Sequence, residues 1–175
     1  KDNVDGYYNT AVGYHALENN TTASRNNAFG YRALFSNTTG SNNVAVGNRA
    51  LESHTTGYEN TAIGSRAGDT LTSGYRNCFM GEDAGDRITT GDNNICIGDQ
   101  SDVSGADAQN QTVIGQGATG KADNSVTLGN SNVTAVLCAS DGEAQVYASA
   151  IRFPATQISN GNANDLDDYE EGTFT

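Results

Sequence analysis

Seven glycines, Gly13, Gly30, Gly47, Gly64, Gly81, Gly98 and Gly115, stand 17 residues apart. One phrase precedes each: NTAVG (9–13), NNAFG (26–30), NVAVG (43–47), NTAIG (60–64), NCFMG (77–81), NICIG (94–98) and QTVIG (111–115). Other columns keep the same step. Ala16, Ala33, Ala50, Ala67 and Ala84 follow the first five glycines by three residues, and Leu17, Leu34 and Leu51 follow the first three by four. Thr21, Thr38, Thr55, Thr72 and Thr89 form another column, as do Gly40, Gly57, Gly74 and Gly91. A fixed period over most of a chain is the signature of a repeat architecture, in which each unit is stable only against its neighbours. Stepping back by 17 from Gly57-Tyr58 reaches Gly6-Tyr7, so residues 1–8 read as the back half of another copy. The chain is therefore expected to be a piece of a longer repetitive protein.

The composition agrees with a repeat and disagrees with a globule. Of 175 residues, 21 are Gly, 21 are Asn, one is Pro and none is Trp. Hydrophobic residues make up 35%, below the usual ~45–50%, too few to fill a thick core. Aromatic and β-branched residues nevertheless recur throughout, which is not the composition of a disordered chain. A net charge of −12 argues against a nucleic-acid partner, which requires a basic footprint, and against docking on anionic lipid. No apolar run is long enough for a transmembrane helix, and no secretory signal pattern opens the chain. Three cysteines are too few and too scattered for a disulfide framework or a zinc site.

Seventeen residues are too few for a helix–turn–helix unit, and Gly, Asn and Thr are poor in helix interiors. Each copy reads as a short strand, a Gly turn, a second short segment and a Thr-Gly turn. Stacked copies make an all-β, parallel β-solenoid in which each column becomes a ladder with a rise of about 4.8 Å, and seven coils span roughly 34 Å. Asn9, Asn26, Asn43, Asn60, Asn77 and Asn94 are expected to form an amide ladder, each side chain bonded to the next. The Gly columns mark positions of positive φ or close backbone approach.

The two positions before each Gly carry the main prediction. One holds Ala11, Ala28, Ala45, Ala62, Phe79, Cys96 and Val113; the next holds Val12, Phe29, Val46, Ile63, Met80, Ile97 and Ile114. Successive residues of a strand point to opposite faces, so both faces avoid water. One face lines the coil interior. The other needs a cover, most economically further copies of the same chain around an axis, giving a homotrimer.

Three segments follow. Residues 1–123 carry the 17-residue repeat. Residues 124–138 hold a shortened 14-residue-type coil, since Gly115 to Gly129 is a step of 14. Residues 139–175 lack the period, contain a Ser-Asp-Gly turn signal (140–142) and the single proline, Pro154, and end in the acidic DLDDYEEGTFT (165–175), expected to link to a missing C-terminal part. The shortened stretch, from Val113-Ile114-Gly115 to Val126-Thr127-Leu128-Gly129, resembles the 14-residue head repeat of YadA-like trimeric autotransporter adhesins. The phrase NTAVGYHALENNTT resembles repeats of bacteriophage and prophage tail fibres, and IRFPATQISNGNANDLDDYEEGTFT (151–175) resembles a junction ahead of a distal domain in such fibres. The resemblance implies a left-handed β-roll with three chains in one fibre. The 17-residue period departs from the adhesin pattern, so no adhesin binding site is carried over.

Chemistry-bearing residues are sparse. His15, Arg32, Arg49, Arg66 and Asp83 form one column, with Glu18, Phe35, Glu52, Asp69 and Asp86 three residues on. They could form a ledge for a glycan or divalent ion, but a solvated face of weak ion pairs is the favoured expectation. Asp165, Asp167, Asp168, Glu170 and Glu171 could hold calcium but lack the ligand alternation of an EF-hand loop. His15 and His54 occupy different repeat positions and have no fixed Ser or Cys partner, so no catalytic triad is expected. Cys78 and Cys96 are offset by 18 and should sit on opposite faces, unbridged. The Tyr14/Tyr31 and Tyr58/Tyr75 columns could stack on sugars or merely on each other. No catalytic residue, cofactor or metal site is assigned.

The expected function is mechanical: a rigid shaft or head of a homotrimeric, phage-type tail fibre on an extracellular virion, presenting a distal tip to a cell-surface receptor or glycan. The alternative is the head of a bacterial trimeric autotransporter adhesin at the cell surface, binding host matrix or glycan directly.

Overall fold

The computed structural model describes residues 3–134. Among these there is no helix. Eight three-residue strands, β1 (Thr10–Val12), β2 (Asn27–Phe29), β3 (Val44–Val46), β4 (Thr61–Ile63), β5 (Cys78–Met80), β6 (Ile95–Ile97), β7 (Thr112–Ile114) and β8 (Val126–Leu128), form one parallel sheet in sequence order. Pairing is in register with the repeat: Ala11 meets Ala28, Ala28 meets Ala45, and so on to Cys96 against Val113. The last step is shorter, with Thr112 opposite Val126, so the 14-residue coil still closes on the same sheet. The architecture is a parallel β-solenoid of about seven turns.

The strands are only a small part of each coil, yet coil-to-coil hydrogen bonding continues around it. Arg32 N donates to Tyr14 O (2.9 Å), Leu34 N to Ala50 O (3.0 Å), Ser36 N to Glu52 O (3.0 Å) and Asn42 N to Ser24 O (3.1 Å). The second segment of each repeat is a series of left-handed corners instead of a strand. φ is 54–60° at Arg32, Arg49 and Arg66, 51–52° at Leu17, Leu34 and Leu51, and 59–61° at Arg25, Asn42, Glu59 and Asn93. A left-handed corner costs an L-residue roughly 1–2 kcal/mol. At Leu34 and Leu51 complete burial of the side chain, worth about 1.5–3 kcal/mol, offsets it.

The recurring glycine before each corner has φ of 128–144° from Gly13 to Gly115, a region closed to side chains. A Cβ at Gly30 would also strike the carbonyl oxygen of Gly47, and the same clash repeats along the column. The interior is thin. Ala33, Ala50, Ala67 and Ala84 form a floor of small residues, and the bulk comes from Leu34, Leu51, Leu71, Phe79 and Ile88.

Candidate functional site

The strand alternation separates the two apolar columns. Ala28, Ala45, Ala62, Phe79, Cys96 and Val113 point inward and are fully buried. Ala11, expected in the same interior column, is exposed. It lies in β1, the end strand of the sheet, which pairs on one side only. The other column faces out. Val12, Phe29, Val46, Ile63, Met80, Ile114 and Leu128 are 37–56% exposed, and Ile97 is half-buried. Val44, Cys78, Ile95 and Val126 stand beside them on the same face, interspersed with Thr10, Asn27, Thr61 and Thr112. The result is an apolar stripe along every rung, roughly 34 Å long at the strand spacing. Contiguous exposed apolar surface on this scale marks an interaction site.

The charged columns are occupied by one another. Glu52, nearly buried, is held between Arg32 (Nη1–Oε1 2.6 Å) and Arg49. Arg66 pairs with Asp83 and reaches Glu82 (3.6 Å), and His15 pairs with Glu18. Arg32 also packs over Phe35, 4.2 Å from the ring centroid. No group of three or more acidic, His or Cys side chains could hold a metal ion among the described residues. The ledge is an ion-pair ladder along the rod. The acidic set from Asp165 to Glu171 lies outside the described residues.

The asparagine column is bonded differently from a simple amide-to-amide chain. Each Oδ1 accepts the backbone N–H of the next coil's Asn: Asn26 N to Asn9 (2.9 Å), Asn43 N to Asn26 (2.9 Å), Asn77 N to Asn60 (3.0 Å). Each Nδ2 donates to a turn carbonyl one coil on, as in Asn26 to Gly40 O (2.8 Å), Asn60 to Gly74 O (2.9 Å) and Asn94 to Ala108 O (2.7 Å). Direct amide–amide bonds of 3.1 Å run only from Asn60, Asn77 and Asn94 to the preceding Asn. Gln111 extends the ladder, its N–H donating to Asn94 Oδ1 (3.0 Å). The threonine column, which the sequence marks without assigning a role, adds a second ladder. Thr38 Oγ1 donates to Thr55 O (3.1 Å), and Thr55 and Thr72 repeat the contact at 2.9 Å.

Two titratable groups are buried by this packing. His54 is fully buried; Nε2 lies 3.5 Å from Asn60 Nδ2 and Nδ1 has no hydrogen-bond partner. Burial pushes its pKa below the ordinary 6.5. Asp102 is almost fully buried, accepts from Val103 N (2.8 Å) and lies 3.2 Å from Arg87 Nε. Burial, reinforced by a side-chain hydrogen bond with Asp86, pushes its pKa up to about 7. Cys78 is half-buried on the outer face, Cys96 is buried inside, and both are free thiols. Tyr14 and Tyr31 stack at 5.7 Å, and Tyr58 and Tyr75 at 4.9 Å.

Comparison with protein-family models, with curated proteins and with solved structures finds no match.

Proposed function

We propose that this chain is a shaft or head segment of a homotrimeric tail fibre of phage type, carried on the virion outside the cell. Its work is mechanical: a stiff β-solenoid spacer that holds a distal receptor-binding part away from its anchor. The observation that carries this reading is the exposed apolar stripe from Val12 to Leu128. Such a stripe needs a cover of equal length and matching repeat, and two further copies of the chain supply both. The left-handed winding and the viral setting rest on the sequence resemblance. The ion-pair ladder and the scattered histidines favour a structural role over catalysis.

Sedimentation equilibrium tests the assembly. The expected mass is three times the 18.2 kDa of the chain, and Ile63→Asp with Val46→Asp should dissociate it. A folded monomer at 18.2 kDa would overturn the proposal. Intersubunit cross-linking through Cys78, which sits on the proposed interface, gives an independent readout.

A further inference from the structure

The column that runs Tyr7, Ser24, Ser41, Tyr58, Tyr75, Asp92 holds a feature that the shaft does not require. Tyr58 and Tyr75 are parallel to within 1°, with centroids 4.9 Å apart, close to one coil rise. The backbone register sets this spacing: Glu59 N donates to Ser41 O (3.1 Å), Arg76 N to Tyr58 O (3.0 Å) and Asn93 N to Tyr75 O (3.0 Å). Arg76 is 6.0 Å from one ring centroid and 5.7 Å from the other. A group nearly equidistant from two stacked rings lies beside the stack and not on its end, so the guanidinium covers neither outer face. Its Nε is held by Glu59 Oε2 at 2.8 Å.

The two ends of the stack differ. Beyond Tyr75 stands Asp92, whose Oδ1 accepts the Tyr75 N–H at 3.0 Å. Beyond Tyr58 stand Ser41 and then Ser24, two small residues in succession. Tyr58 is 40% exposed, and the ring face it turns toward Ser41 meets no bulky side chain in its own column. Ser41 Oγ accepts the Ser24 N–H (3.0 Å), directed away from Tyr58, and the next column beside Ser41 and Tyr58 holds the exposed Asn42 and Glu59, the latter paired with Arg76.

We propose that the Ser41-side face of Tyr58, backed by Tyr75, is a platform for a neutral pyranose with equatorial hydroxyls. The flat C–H face of such a sugar stacks on an aromatic ring, and its rim of hydroxyls needs both donors and acceptors. In the column beside that face the Asn42 amide carries both kinds and the Glu59 carboxylate adds acceptors. A wholly apolar ligand would bury these groups without partners. An anionic ligand would meet Glu59 on a chain of net charge −12. Stacking on Tyr75 fixes the platform before the ligand arrives, which lowers the ordering cost of binding. The proposal stands whether or not the rod is a trimer.

The test uses the full chain with 13C-labelled tyrosine and cellohexaose as probe, in the millimolar range. The Tyr58 and Tyr75 ring signals should move and those of Tyr14 and Tyr31 should not. Tyr58→Ser, which installs the residue that Ser24 and Ser41 already show the column accepts, should weaken binding about tenfold, while Tyr58→Phe retains it. Unchanged circular dichroism of Tyr58→Ser shows that the loss is not unfolding. Absence of any shift at Tyr58, equal shifts at Tyr14, or full binding by Tyr58→Ser would each overturn the assignment.

Discussion

Phe79 offers the sharpest test of how this thin core is filled. In the coils of β2 and β3 the inward strand residue is alanine (Ala28, Ala45) and the bulk comes from a leucine in the following corner (Leu34, Leu51), all fully buried. In the coil of β5 the distribution is inverted: the strand residue is Phe79, and the corner residues of this coil and the one before it are Gly85 and Gly68. The geometry shows why. A Cβ at Gly68 would lie 2.6 Å from Phe79 Cδ2, and one at Gly85 2.6 Å from Phe79 Cε1. One ring fills the space of two corner side chains. Phe79→Ala should therefore cost about 3–5 kcal/mol, the usual range for a fully buried Phe. Gly68→Leu with Gly85→Leu in the native background should overpack, at about 1–3 kcal/mol each. Combining all three regenerates the Ala-plus-Leu pattern of the earlier coils, whose leucines already tolerate φ of 51–52°. The triple variant should cost less than half of what Phe79→Ala costs alone, giving a favourable coupling of roughly 3.5 kcal/mol or more between position 79 and the two corners taken together. Urea unfolding at one fixed protein concentration measures it, fixed because self-association adds to apparent stability. Additive effects within about 0.5 kcal/mol would refute the compensation.

Three further outcomes follow from buried polar groups. His54 has a folded-state pKa below 6.5: above 6.5 both folded and unfolded states are neutral, and as pH falls below 6.5 the unfolded chain takes up the proton first, so stability drops toward acid. His54→Leu, the residue one coil later at Leu71, should flatten that slope in urea melts at pH 7.5 and 5, and an unchanged slope would count against the assignment. Asp102 has the opposite sign: its pKa is raised from 3.8 to about 7, so its contribution is intact below 3.8 and is lost as pH rises to about 7. Asp102→Asn should remove this loss, seen as a midpoint gain at pH 8 larger than at pH 4. Asn60→Ala strips the partner from the Asn77 N–H (3.0 Å) and from the Gly74 carbonyl (2.9 Å), at about 1–3 kcal/mol for each group left unsatisfied; amide exchange at Asn77 should accelerate.

Residues whose role repeats in every coil were legible in the sequence. The glycine from Gly13 to Gly115 had to sit where no side chain fits, and its φ of 128–144° is that constraint. The asparagine column was legible as a ladder, but not its main acceptor and donor, because the backbone partners Gly40 O and Gly74 O are 14 residues on and carry no side-chain signal. The left-handed corners at Arg32 and Leu34 were not legible, since neither type favours that conformation; only Gly68 and Gly85 in the leucine column hinted at it. The exposed stripe was readable because the alternation of a strand fixes which face each residue takes, while the exposure of Ala11 depends on its place in the end strand. The burial of His54 was legible only through its column, which it shares with Asn37 and Leu71, both buried.

That last column shows how a near-identical repeat can still choose one register. The Gly, Asn and Thr columns are the same in coil after coil, so by themselves they would let any coil stack on any other. The bulky interior residues are not the same. The column after each corner runs Asn20, Asn37, His54, Leu71, Ile88, changing from polar to apolar, while the corner column runs Leu17, Leu34, Leu51, Gly68, Gly85. A slip by one coil would leave the backbone ladders intact but set Phe79 against Leu51 in place of Gly68, a clash of two large side chains in a core with no spare volume. It would also displace Leu71 from its place between His54 and Ile88. The invariant columns thus supply the hydrogen bonds that make stacking possible, and the drifting bulk makes one stacking order better than its neighbours. The few large apolar residues of this chain specify register as well as filling space.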